Sequence, residues 1–165
     1  MILGLDPSPR RIGLAVLRPD GHRSCLTVPL VGEWKGREPE LAHDRIRAML
    51  ALVAEQGEPT DVAWEDGIAV GYGGAKLLGA VLARLEDAVR GVWPHAVQRQ
   101  YLPHEWRALV GIGTGLPRRG PRRGVLKERA WALSVSRGWE PRTEDDADAA
   151  CVAMARAVEL GEVWE

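Results

Sequence analysis

The chain has no phenylalanine, only two cysteines, and a formal net charge of just -1 at pH 7. Each shortage excludes something. Without Phe, the aromatic volume of a core falls to seven tryptophans, Trp106, Trp131 and Trp139 among them, and these are expected mostly to fill the interior. Cys25 and Cys151 lie far apart and outside any CxxC spacing, which argues against a zinc site or a redox pair; both are expected as buried thiols. The near-zero net charge excludes a generally basic nucleic-acid binder, so such a partner must be held by a local patch. No apolar run is long enough to span a bilayer, and the apolar segment 1–5 meets Asp6 too soon for a signal peptide. A cytoplasmic protein with no membrane partner is expected.

What is present is ordinary globular material: 165 residues, 45% hydrophobic and 27% charged. That length supports one hydrophobic core and does not divide comfortably into two, so a single domain over 1–165 is expected. One basic patch stands out. Arg118, Arg119, Arg122, Arg123, Lys127 and Arg129 fall in a short stretch whose only acid is Glu128. Gly115, Pro117, Gly120 and Pro121 make the stretch 115–123 a loop, where arginines decorate no helical surface and phosphate contact gains weight over a merely solvated face.

Along the chain, 1–5 reads as a strand stopped at Asp6-Pro7-Ser8-Pro9, because proline cannot continue a sheet ladder. Residues 11–17 and 24–29 follow as strands around the Pro19-Asp20-Gly21 turn, giving an antiparallel meander. Leu41, Ile46, Met49, Leu50 and Val53 recur at helical spacing over 39–55. A short strand at 61–64 delivers Glu65 at its end. Gly67 and 71–74 make a loop, and 75–89 is an amphipathic helix. A strand at 96–102, a short helix at 103–110 opened by Pro103, and helices at 125–137 and 145–160 complete an α/β order with a mixed five-stranded sheet.

Acids at strand ends and at a helix start are held by the chain's most rigid elements. Asp6 ends the first strand and Glu65 the fourth, so their carboxylates converge at the sheet rim if those strands are neighbours. Asp145 and Asp148 are three apart in a helix and share a face. Four carboxylates in one cleft would raise one another's pKa unless a cation were present, and an oxygen-only ligand set favours magnesium or manganese. Two such ions about 3.5 to 4 Å apart suit in-line displacement at a phosphodiester. Taken singly, each acid has an ordinary alternative: Asp6 as a turn cap, Glu65 as a solvent-facing strand end, Asp145 and Asp148 as dipole-favoured helix-start acids.

Read as blocks, Ile2-Leu3-Gly4-Leu5-Asp6-Pro7 with Ile12-Gly13-Leu14-Ala15-Val16 resembles the opening of RuvC-like Holliday junction resolvases, members of the RNase H-like nucleases. Val62-Ala63-Trp64-Glu65-Asp66 followed by Ala75-Lys76-Leu77-Leu78-Gly79 looks like that family's strand-end glutamate, base-probing loop and next helix. Asp145-Asp146-Ala147-Asp148-Ala149 resembles its closing DxxDA. The resemblance implies an RNase H-like fold and a homodimer that nicks four-way DNA junctions to leave 5′-phosphate and 3′-hydroxyl ends. It further implies two Mg2+ per site, replaceable by Mn2+, on Asp6, Glu65, Asp145 and Asp148. By position, Lys127 and Arg107 resemble basic residues near the scissile phosphate; Lys76, Arg118, Arg119, Arg122 and Arg123 are expected on the DNA, and Tyr72, the one aromatic of its loop, either stacks on an unpaired base at the crossover or packs on the loop.

The sequence departs from the family in three places: arginine at 107 is a mild departure at that basic position, Ser8-Pro9 replaces its glycine and small polar residue after Asp6, and the loop after Glu65 lacks its phenylalanine. Asp146 stands in for Asp145 if the last helix begins one residue differently. Three rivals remain: an RNA-processing nuclease of the YqgF type, a catalytically silent junction binder, and an actin-like phosphotransferase, whose two-lobed cleft one short domain cannot form. The apolar stripe of helix 75–89 serves either the core or a dimer face.

Overall fold

The structure, a computed structural model, describes residues 1–30, 39–66, 72–113 and 122–162, the side chains of 39–42, 72–75 and 122 excepted. Strands β1 (Ile2–Pro7), β2 (Arg11–Leu17) and β3 (Arg23–Pro29) form the antiparallel meander, while β4 (Asp61–Glu65) and β5 (Val97–Tyr101) add in parallel on the other side of β1. The sheet order is β3-β2-β1-β4-β5. This is the expected mixed five-stranded α/β architecture, with helices on both faces.

Strand periodicity of two decides which side chains meet which helices. Leu3 and Leu5 of β1, Ile12, Leu14 and Val16 of β2, and Val62 and Trp64 of β4 point to one face. They pack there with Ile46 and Leu50 of α1 (Pro39–Ala54) and with Val81, Leu85 and Val89 of α2 (Tyr72–Val92). The α2 stripe is thus used by the core. Ile2, Ala15, Leu17 and Ala63 point to the opposite face. That face is covered by α3 (Pro103–Leu109), α4 (Arg122–Ser136) and α5 (Glu144–Glu159). The same alternation sends Asp6 and Glu65 to the α5 side.

α5 lies directly on the sheet. Its buried residues are mostly small, from Ala147 and Ala149 through Ala153 to Ala157, and glycines stand beneath it. A Cβ on Gly13 would fall 2.1 Å from the Asp145 carbonyl oxygen, and one on Gly4 would fall 2.3 Å from that of Ala149. Ties at both ends set the helix's rotation. Thr27 of β3 donates to Asp146 at 2.5 Å. Arg156 donates Nε and Nη2 to Asp61 of β4 at 3.0 and 2.6 Å.

Several expectations need correction. β1 does not stop at Leu5: it continues through Asp6 and Pro7, which pair with Gly13 and Ile12. The β1–β4 register runs only to Leu5 opposite Trp64, so Pro7's missing N–H lies beyond that central ladder. α2 begins at Tyr72, taking in Gly73 and Gly74 that read as loop; first-turn N–H groups have no intrahelical partner in any case, and little is lost there. α4 begins at Arg122, so Arg122 and Arg123 sit in a helix and not in the loop. A proline immediately before them in sequence suits a helix start. Cys151 is buried, whereas Cys25, on edge strand β3, is only half-buried. Burial pushes the Cys25 thiol up to about 11 and raises that of Cys151 too, so neither is an activated nucleophile. Trp64, Trp93, Trp106 and Trp139 are buried as expected, and Trp131 is 37% exposed. Among the described residues no helix is long and apolar enough to cross a membrane.

Gly13→Ala is predicted to lower stability by about 1–3 kcal/mol or more, the usual cost of overpacking, because the new methyl meets backbone rather than a yielding side chain. Urea denaturation checks this, with Gly79→Ala as the control: there a Cβ meets nothing within 4 Å inside α2, so the change should cost nothing and gain about 0.5–1 kcal/mol of helix propensity.

Candidate active site

Asp6 and Glu65 stand one residue past the last β1–β4 register pair, on adjacent parallel strands and on the face that α5 covers. α5 brings Asp145 and Asp148 over the same rim. All four line one open cleft of about 540 Å³, together with Arg107 of α3 and Arg123 and Lys127 of α4. The described residues lining it include neither histidine nor cysteine.

Asp146 does a different job. Thr143 caps α5 and accepts from the Asp146 N–H at 3.1 Å, while Asp146 Oδ2 accepts from the backbone N–H groups of Arg142 and Thr143 at 2.9 and 3.1 Å. Its other oxygen takes the Thr27 hydroxyl. Three hydrogen bonds, at least one on each oxygen, commit this buried carboxylate to capping the helix and tying it to β3. The helix begins at Glu144, one residue earlier than expected, and it is Asp145 that faces the cleft.

Three of the four cleft acids have partners. Lys127 Nζ bonds Asp148, and Arg11 Nε pairs with Asp145. The Trp106 indole N–H donates to Glu65 Oε2 at 2.5 Å, and Arg107 Nη2 stands 3.7 Å from that oxygen. Asp6 makes neither hydrogen bond nor ion pair among the described residues, and its carboxyl is pushed well above the usual range by burial and by the charges of Asp148 and Glu65. Burial also raises Glu65, against the pull of Trp106 and Arg107, and raises Asp148 against Lys127. For Lys127 burial works downward, but Asp148, Asp6 and Asp145 outweigh it and hold the ammonium charged. Burial is the leading cause for Asp6, Glu65 and Asp148, and at Glu65 and Asp148 it outweighs the nearby cations.

Does this site suit a divalent cation? Its donor set is all oxygen, as magnesium and manganese prefer, and a cation would relieve the unpartnered Asp6. Among the described residues, however, no three His, Cys, Asp or Glu side chains form a ready metal cage. The organic cations Lys127 and Arg11 already engage Asp148 and Asp145. The residues fit a divalent ion in kind, and taking one up requires those pairs to give way.

The remaining expected residues are dispersed. Arg107 and Arg123 line the cleft. Lys76 is exposed near the start of α2, and Tyr72 and Arg122 are the first residues of their helices. Arg118 and Arg119 lie outside the described residues. Sequence reasoning missed Arg11 and the bond from Trp106.

With this geometry in place, comparison with known proteins is informative. No family model matches the chain, and no curated sequence does. Among solved structures, RuvC of Thermus thermophilus in complex with a Holliday junction substrate aligns over 98% of this chain and 96% of its own, with a TM-score of 0.68 at 18% identity. The fold is that of RuvC. A second structure of T. thermophilus RuvC aligns with a TM-score of 0.65 at 18% identity, over 96% and 94% of the two chains. The yeast mitochondrial Holliday junction resolvase Ydc2 aligns with a TM-score of 0.53 at 13% identity, over 98% and 80%. The RuvC likeness spans essentially the whole chain and, at these identities, is one of fold.

The raised carboxyls have a thermodynamic consequence. A group whose folded pKa exceeds its unfolded value contributes stability that is present below the unfolded pKa and lost as pH rises through the folded one. In EDTA, Asp6, Glu65 and Asp148 should therefore make the protein less stable at pH 7 than near pH 5. Asp6→Asn removes part of that loss. It is predicted to melt several degrees above wild type at pH 7, at about 2–4 °C per kcal/mol for a chain of this size, and the gap should close toward pH 4. Thermal melts across that range check it.

Proposed function

We propose that this chain is a single-domain, structure-selective endonuclease that resolves four-way DNA junctions by metal-assisted phosphodiester hydrolysis, leaving 5′-phosphate and 3′-hydroxyl ends. The observation that carries the reading is four carboxylates from β1, β4 and α5 lining one cleft of a RuvC fold. Asp6, Glu65, Asp145 and Asp148 would hold two Mg2+, with Mn2+ able to substitute. Bound there, the ions would supply Lewis-acid activation of water and charge neutralisation at the phosphate.

The chain's own residues do the rest. Lys127, Arg107 and Arg123 place positive charge on the cleft wall, where a phosphodiester oxygen must approach a cluster of acids that would otherwise repel it. Lys127 is kept protonated by those acids, and on the cleft wall it would be available to a phosphodiester oxygen if Asp148 served as a metal ligand. Asp6, with no competing partner, is the ligand that needs least rearrangement. Lys76, Tyr72 and the arginines at 118, 119 and 122 extend the contact to DNA arms. Cutting two strands of like polarity across a symmetric junction requires two clefts, hence a homodimer. T. thermophilus RuvC has been captured with a Holliday junction substrate, which supports branched DNA as the partner.

Incubation with synthetic four-way junctions and linear duplexes, with and without Mg2+, tests this. Wild type should cut the junction only when Mg2+ is present and leave the linear duplex intact. Asp6→Asn and Asp148→Asn should bind the junction in a mobility shift yet lose more activity than the roughly 10- to 100-fold that removal of an outer-shell partner costs. Equal cutting of both substrates, or undiminished cutting by Asp6→Asn, would sink the reading, and selective cutting of RNA would transfer it to the YqgF type.

A further inference from the structure

Four described tryptophans are buried, and their indole N–H groups fare differently. Those of Trp64, Trp93 and Trp139 have no hydrogen-bond partner. Trp106, wholly buried on α3, donates to Glu65 Oε2 at 2.5 Å. A side chain that only filled volume would resemble the other three. The neighbouring residue acts on the same atom: the Arg107 guanidinium lies over the Trp106 ring, 4.8 Å from its centroid, and reaches within 3.7 Å of Oε2. Stacking on a buried ring fixes the plane of the guanidinium. Thus one carboxylate oxygen is held by two consecutive residues of a single short helix, while Oε1 accepts no hydrogen bond among the described residues.

We propose that Trp106 is a positioning residue for Glu65: its indole N–H, braced by the stacked Arg107, locks Oε2 so that Oε1 is presented to a divalent cation in the cleft. This rests on the metal-binding reading above and assigns the core tryptophan a role that volume does not require. Outer-shell donors of this kind fix the orientation of a ligand, and their loss typically costs about 10- to 100-fold in metal affinity or activity. The freedom of a glutamate side chain explains why: an unlocked Glu65 samples several rotamers, of which few face the ion.

The test uses the full chain, with Mg2+ affinity by calorimetry and the indole N–H signals by NMR, assigned through the backbone. Trp106→Phe keeps most of the volume and removes the donor, and it should weaken Mg2+ binding about tenfold; Trp131→Phe, on the exposed face of α4, should not. In wild type the Trp106 indole proton should lie downfield of those of Trp64, Trp93 and Trp139, and it should move on adding Mg2+ and in Glu65→Ala. An unchanged affinity in Trp106→Phe, or a Trp106 signal indifferent to both Mg2+ and Glu65→Ala, overturns the proposal. Should Trp106→Phe fail to fold, the wild-type signal decides alone. Wild type that binds Mg2+ but cuts no junction would sink the functional reading and leave Trp106 to be judged by the affinity comparison. Wild type that binds no Mg2+ overturns both.

Discussion

The site depends on how closely α5 approaches the sheet. Two glycines, Gly4 and Gly13, leave room for the backbone of α5 to rest on β1 and β2, and the helix meets them with alanines. Asp145, Ala149 and Ala153 are spaced four apart, so the stripe that touches the sheet begins at one cleft acid, and Asp148 follows one turn along. With larger residues at those contacts the helix would stand off, and its carboxylates would no longer share a rim with Asp6 and Glu65. The ties from Thr27 to Asp146 and from Asp61 to Arg156 prevent the remaining freedom, rotation about the helix axis. Packing and capping therefore set the chemistry, because they decide which of three neighbouring acids faces inward.

Bringing four carboxylates together is unfavourable, and the structure limits the cost by local pairing: Lys127 with Asp148, Arg11 with Asp145, Trp106 and Arg107 with Glu65. Asp6 is left without such help, and burial pushes its carboxyl well above the usual range. A buried carboxyl without a partner, facing other carboxyls across an open cleft, is what a divalent cation would relieve. Under the proposed function, the same basic side chains would be displaced from the acids to meet a phosphate. Such a rim is held at the expense of stability, as is common where like charges are buried together.

Much of this was legible in the chain because it is carried by local pattern. Alternation in β1, β2 and β4 predicts their faces, and it places Asp6 and Glu65 on the side away from Leu5 and Trp64. The helical spacing of Asp145 and Asp148 predicts a common face. Whether those faces meet depends on strand order and helix docking, which are non-local. The pairing of Arg11 with Asp145 crosses most of the chain, and the bond from Trp106 to Glu65 requires α3 to dock against α5 and β5. Neither leaves a trace in spacing. One missed feature did carry a signal: Thr143 three residues ahead of Asp146 is a capping pattern, and it identifies Asp146 as the structural acid and frees Asp145 for the cleft. Helix starts at Tyr72 and Arg122 eluded the reading because glycine and proline mark loops and first turns alike.

The central claim is that acids from β1, β4 and α5 meet around divalent ions. Anomalous diffraction at the manganese edge from crystals grown with Mn2+ tests it most directly. The account predicts signal in the cleft, flanked by Asp6, Glu65 and Asp148 with Asp145 alongside and with Lys127 withdrawn from Asp148. Anomalous peaks only elsewhere on the molecule, or a cleft that stays empty at saturating Mn2+ with Lys127 still bound to Asp148, would contradict it.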